Sequence, residues 1–173
     1  MMNLSRNHQG PMMRPLLLTL LLLLPAAQLA ARAAPDFKIE IGGQNQTLLE
    51  LSHRGPVYLD FWASWCGPCR RSFPFMNQLV ADYGPRGVTV VAVNLDVDRE
   101  DAAKFLRQFP ANFPIVYDPE FALADAYGVG GMPSSYLIKD GEIVQTHIGF
   151  RPGDADATRT TLDNLLTQEP QEK

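Results

Sequence analysis

The chain has 173 residues, 46% of them hydrophobic and 20% charged, with a formal net charge of −4. That is one domain plus a short extension, with enough apolar residues for a core, which excludes a wholly disordered chain. Residues 1–34 hold Arg6, Arg14 and Arg32 and no acid, so the rest is acidic, and an acidic domain is a poor nucleic-acid binder because counterion release needs Lys and Arg.

The first segment reads as an address. A basic start is followed by Leu16 to Leu24, leucine throughout except Thr19, then Pro25 and the small-residue stretch Ala26 to Ala34. Basic start, short apolar core and an Ala-x-Ala triplet make a secretory signal peptide. Residues 1–33 are therefore expected to be a leader cut after Ala33 in Ala31-Arg32-Ala33, leaving a domain over 34–173. An uncleaved membrane anchor is the alternative. Leu16 to Ala31 is a little short for a span of about 20 residues, and Pro25 interrupts it. No cysteine near the end of the leader offers a lipid attachment site, and Met12 or Met13 could serve as the start in place of Met1. The expected destination is an exported, oxidising space.

In the folded part, Asp36 to Ile41 alternates apolar and polar residues, which predicts a short half-buried strand, and Gly42-Gly43 predicts a turn. Leu48, Leu49 and Leu51 open a second apolar segment that Gly55-Pro56 ends. Val57 to Trp62 is continuously apolar apart from Asp60, as in a strand buried on both faces. A helix is expected from about Cys66 to Tyr83, bent at Pro74. A second buried strand spans Val88 to Leu95, and Asp98 caps a helix over Arg99 to Gln108. Ile115 to Tyr117 is strand-like, and Pro119 to Tyr127 reads as a short helix closed by Gly128. Asp140-Gly141 between Ser134–Ile138 and Glu142–Ile148 predicts a hairpin. Asp154 to Leu166 is an amphipathic helix followed by a polar tail expected to fray. The expected fold class is α/β, a central mixed sheet covered by helices.

The chain has only two cysteines, Cys66 and Cys69. A bridge between them closes almost no loop and adds little stability, so its value is chemical. Cys66 falls where a strand gives way to a helix. Free N–H groups and partial positive charge at a helix start lower a thiol's pKa, which makes Cys66 the candidate nucleophile. Cys69, one turn further in, is placed to resolve a mixed disulfide at Cys66. Pro68 suits a first helical turn, and Gly67-Pro68 influences the redox poise. Trp62 and Trp65 are expected to flank and shield the pair. Other readings are half a zinc site, an idle surface disulfide or two ordinary buried cysteines. The zinc reading lacks partners, since His53 and His147 have no ligand spacing, and no metal or other cofactor is expected.

VYLDFWASWCGPC resembles the active-site strand and loop of the thioredoxin superfamily, with Pro74 at the place of its helix-bending proline. YGVGGMPSSYLI resembles the superfamily's cis-proline segment, which places Pro133 opposite the cysteines. VVAVNLDVDREDAAKFLRQF followed by FPIVYDP resembles the strand-and-helix insertion of TlpA/ResA-like exported thioredoxins. The similarity runs from Asp36 to Leu166. It implies a thioredoxin fold with an N-terminal β extension and that insertion. It also implies a buried acid at Asp60 that takes the Cys69 proton, where the residue alone could equally be a solvent-facing aspartate. Met132, with Trp65, Gly67 and Pro68, is implied to hold the substrate. One departure is Ser72, where many TlpA-like proteins carry an acid.

His53 is expected on a surface loop and His147 in a structural or exposed role. Asp96, Asp98, Glu100 and Asp101 lack the glycine and spacing of a calcium loop and read as a solvated helix start. The resemblance implies a periplasmic thiol–disulfide oxidoreductase, monomeric, acting on exported cysteine-containing proteins and supplied by a membrane thiol donor. A reductase is the first reading. An oxidase is the second, and a copper-site chaperone using Cys66, Cys69 and Met132 is the third. A peroxidase is disfavoured, because Trp65 stands where a Thr or Pro is usual.

Overall fold

The computed structural model describes residues 32–167; all but the last two residues of the expected leader (1–33) and the polar tail past 167 lie outside that range. It begins with a two-residue strand, β1 (Arg32–Ala33), and a hairpin of β2 (Lys38–Ile41) and β3 (Gln44–Thr47), turned by Gly42-Gly43. The apolar segment after it is helix α1 (Leu48–Arg54). Thr47 and Glu50 start that helix with a reciprocal cap: Glu50 N–H donates to Thr47 Oγ1 at 3.1 Å and Thr47 N–H to Glu50 Oε2 at 2.8 Å. His53 lies in the last turn of this helix rather than in a loop.

Strand β4 (Val57–Trp62) is buried at every residue. It leads into helix α2 (Cys69–Tyr83), and then come β5 (Thr89–Asn94), α3 (Arg99–Gln108) and β6 (Ile115–Tyr117). Helix α4 (Ala122–Tyr127), the hairpin of β7 (Ser134–Lys139) and β8 (Glu142–Ile148), and helix α5 (Asp154–Thr167) complete the chain. Two helix starts differ from expectation. Helix α2 begins at Cys69, because Pro68 occupies the N-cap and residues 63–66 form a separate turn. Helix α4 begins at Ala122, because Phe121 has φ 61° and so cannot continue a right-handed helix back to Pro119.

The main sheet has the order β1-β8-β7-β4-β5-β6. Strands β4, β5 and β6 are parallel, while β7, β8 and β1 add antiparallel, so the sheet is mixed. Alternate residues of β4 serve two cores. Val57, Leu59 and Phe61 pack with Leu48, Leu51, Ala124 and Tyr127 of α1 and α4. Tyr58 and Trp62 pack on the other side with Phe73 of α2, Phe105 of α3 and Leu162 of α5. A strand covered on both faces has no polar alternation to show, which is why β4 and β5 read as continuous apolar runs. Asp140 (φ 53°) and Gly141 (φ 79°) take the two positive-φ positions of the β7–β8 turn. Strand β1 lies on the outer edge of β8, with Arg32 opposite Ile143 and Ala33 opposite Glu142. The Arg32 guanidinium also donates to the carbonyls of Ala126 at 3.2 Å and Tyr127 at 3.0 Å, at the end of α4. A cut after Ala33 would remove both residues of this strand.

Candidate active site

The carboxyl end of β4 and the start of α2 are joined by residues 63–68, and this is where the two cysteines lie. Cys66 and Cys69 are joined by a disulfide, with Cα atoms 5.4 Å apart. Cys66 N–H donates to the Ala63 carbonyl at 3.1 Å, closing a turn before the first cysteine. Cys69 N–H, a donor without an intrahelical partner, points at Cys66 Sγ at 3.3 Å. A thiolate at Cys66 therefore meets a preformed donor and the positive end of a 15-residue helix. Cys69 is fully buried and Cys66 is 4% exposed, so an approaching sulfur reaches Cys66 first. The two tryptophans have separate fates. Trp62 is buried against Phe73 and Phe105, while Trp65, next to Cys66 in the chain, stands 69% exposed.

Asp60 is 1% exposed and shares the face of β4 with Tyr58 and Trp62, within the core that holds both cysteines. Burial pushes its pKa well above the usual carboxylate range, because the charged form loses its hydration. Asp60 Oδ2 and Trp62 Nε1 are buried with no hydrogen-bond partner among the described residues. The solvent-facing alternative for Asp60 is thus excluded. A carboxyl held this way is suited to accept a proton inside the core.

The Met132–Pro133 peptide is cis, and Pro133 is buried next to Ser134, which pairs with Phe61 at the end of β4. Met132 and Trp65 line one groove of about 310 Å³ with Leu95, Phe121 and Val129. Gly67 is exposed and Pro68 half-buried, on the rim of the same site. Ser72 is fully buried and donates to the Cys69 carbonyl at 3.1 Å, so the position of the missing acid faces the interior. His147 lies on β8, away from the cysteines in sequence and strand order. Among the described residues, no cluster of three or more His, Cys, Asp or Glu side chains is placed to hold a metal ion.

One group in the site differs from the sequence reading. Asp96 is only 4% exposed and is not part of a solvated helix start. Its carboxylate accepts from Ser64 N–H at 2.9 Å, Ser64 Oγ–H at 2.9 Å and Asn94 Nδ2–H at 2.8 Å. The available signal was its position: it follows directly on a buried strand, two residues after Asn94, itself fully buried.

A strand-to-helix disulfide at the end of β4, with a cis-proline leading into the adjacent strand β7 of this mixed sheet, defines a thioredoxin-fold thiol–disulfide oxidoreductase. The chain belongs to the Redoxin family, whose profile matches residues 29–166. It is similar to the thiol-disulfide oxidoreductase ResA of Bacillus thuringiensis (strain Al Hakam), at 38% identity over 139 residues, covering 78% of this chain and 75% of that one. ResA of Geobacillus thermodenitrificans (strain NG80-2) is 39% identical over 112 residues, 64% of each chain. Among solved structures, one assigned to a thiol:disulfide interchange protein DsbE from Chlorobium tepidum superposes with a TM-score of 0.72 at 47% identity, covering 79% of this chain and 96% of that one. The protein is thus a TlpA/ResA-like member of the thioredoxin superfamily, and α3 with β6 is its insertion.

Proposed function

We propose that this protein is an exported disulfide reductase that acts on cysteines of other exported proteins. The observation that carries the reading is the Cys66-Gly67-Pro68-Cys69 pair at the start of α2, with Cys66 slightly exposed and Cys69 fully buried. In the proposed cycle the Cys66 thiolate attacks a substrate disulfide, forms a mixed disulfide and releases one substrate thiolate. Asp60 takes the proton of Cys69, and the Cys69 thiolate attacks Cys66 Sγ. The second substrate thiolate then leaves, the Cys66–Cys69 disulfide closes, and two electrons have passed to the substrate. Met132, Trp65, Gly67 and Pro68 form the surface on which the substrate cysteine segment lies, bound in strand-like fashion along the chain before Pro133.

Direction follows from the poise of the couple. No histidine lies between the cysteines, proline offers no N–H to the thiolate, and Arg70 and Arg71 are exposed to solvent. These features favour a couple near the thioredoxin value of about −270 mV over the strong-oxidase value of about −120 mV. In an oxidising compartment such a couple needs a dithiol donor, for which a membrane thiol protein is proposed. Export is assigned to the leader, and the Arg32 contacts to Ala126 and Tyr127 favour a leader boundary ahead of Arg32 over a cut after Ala33. No described helix is long and apolar enough to cross a membrane. Equilibration of the domain with glutathione buffers tests the reading. A potential near the reducing value is expected, and one at the oxidase end overturns it in favour of disulfide formation.

A further inference from the structure

We propose that Asp96 is a positioning residue for the redox pair, one that clamps the turn before Cys66 and biases the couple toward the reducing side by its charge. Strand β5 ends at Asn94, and the chain then passes behind the turn that carries Cys66. There Leu95 N–H donates to the Trp62 carbonyl at 2.9 Å, while Ser64 gives both its N–H and its hydroxyl to Asp96. Asn94 supplies a third donor and accepts Asp96 N–H at 3.2 Å in return. Donors meet both carboxylate oxygens, the pattern of an acceptor-only, ionised group. Ser64 is two residues from Cys66, so the turn that sets the position of the nucleophile is fixed on a buried negative charge.

The charge acts differently on the two redox states. In the disulfide Cys66 carries none, whereas in the dithiol it forms a thiolate. A carboxylate behind the turn raises the energy of that thiolate, and in a partly buried setting the repulsion is weakly screened. Withdrawing stabilisation from the reduced thiolate is what separates a reducing couple from an oxidising one. The other ionisable groups at this end are Arg70 on α2, the Asp101–Lys104 pair on α3 at 3.0 Å, Asp125 on α4, which is exposed on the groove that Trp65 lines, and Asp60 in β4, which burial pushes toward its uncharged form. Arg70 and Asp125 are exposed to solvent and the α3 pair is mutually compensated, which leaves Asp96 as the buried charge tied by hydrogen bonds to the turn itself.

The test is the equilibrium in which two glutathione thiols and the Cys66–Cys69 disulfide exchange for the dithiol and glutathione disulfide, at fixed pH and salt. Asp96→Asn is expected to shift it about fivefold toward the dithiol, about 20 mV at 29.6 mV per decade. Asp96→Glu keeps the charge and is expected to restore the parent value. Ser64→Ala strips a donor from the carboxylate, strengthening its field, and is expected to shift the equilibrium about twofold toward the disulfide. It also serves if Asp96→Asn does not fold. A purely structural Asp96 would lower the unfolding midpoints of oxidised and reduced protein alike and leave the equilibrium unmoved; that result overturns the inference, as does a Ser64→Ala shift in the same direction as Asp96→Asn. The inference rests on the thiol–disulfide chemistry alone. The shift is read between variant and parent, so an oxidising parent would sink the reductase reading and leave this comparison intact.

Discussion

Replacing Asp60 by Asn should change how stability depends on pH, in a direction the burial of the side chain dictates. In the folded chain, desolvation holds the Asp60 carboxyl well above its usual range; in the unfolded chain it ionises normally. Between those two values the unfolded chain has lost a proton that the folded chain retains. Stability therefore falls as pH rises through that window, by about 1.4 kcal/mol per unit, and levels off above the folded value. The amide in Asp60→Asn has no proton to lose and mimics the protonated acid, so the variant should match the parent at low pH and exceed it near neutrality. Urea unfolding of both oxidised proteins, in steps of about one pH unit from about 4.5 to 8, measures the difference. All other carboxylates cancel in the comparison. Parallel curves, or a parent that gains on the variant as pH rises, would refute the argument from desolvation. The same variant should slow release of the mixed disulfide near neutral pH, because a buried amide accepts no proton from Cys69.

Cys69→Ser should leave Cys66 covalently joined to its partner, visible as a thiol-sensitive band on a non-reducing gel, while Cys66→Ser forms no adduct and loses reductase activity; the opposite pattern reverses the two roles. Phe73 is fully buried with ring centroids 4.8 Å from Trp62 and 4.9 Å from Phe105, so Phe73→Ala should cost about 3–5 kcal/mol in chemical unfolding. A loss under about 1 kcal/mol would show that the aromatic cluster closes over the gap. A Cβ on Gly55 would run into the Gly87 carbonyl oxygen, a backbone atom that cannot rotate away. Gly55→Ala should thus cost about 1–3 kcal/mol, and an unchanged melting temperature would show that the entry to β4 yields.

Much of this fold is legible along the chain because its elements carry local signals. Strand β4 keeps its predicted bounds because Gly55-Pro56 and the Trp62 turn punctuate a continuous apolar run. Helix α3 starts where Asp98 accepts from Glu100 N–H at 2.9 Å. Strand β3 has no such signal: Gln-Asn-Gln-Thr is polar throughout, and its extended form comes from pairing with β2. Helix α1 did carry one, the Thr47-x-x-Glu50 capping box, hidden by the apolar run that follows it. At the site, the Cys66–Cys69 disulfide and the cis bond before Pro133 are what the motif and the resemblance lead one to expect. The burial of Asp96 is not, because it depends on Ser64, 32 residues earlier, and the neighbouring acids suggest an exposed run.

The two residues of β1 have a consequence for how molecules meet one another. Outside the Arg32–Ala33 pairing, β8 is the rim of the sheet, and its outward residues include Val144 at 44% and Ile148 at 61% exposure. A bare rim with apolar side chains is a template for a strand of another chain. Arg32 and Ala33 occupy the hairpin end of that rim and shorten it, so a cut on one side of them or the other would decide how much sticky edge the molecule presents. A molecule trimmed past Ala33 would offer the whole length of β8 to its neighbours, and high concentration would then favour edge-to-edge stacking over the single chain.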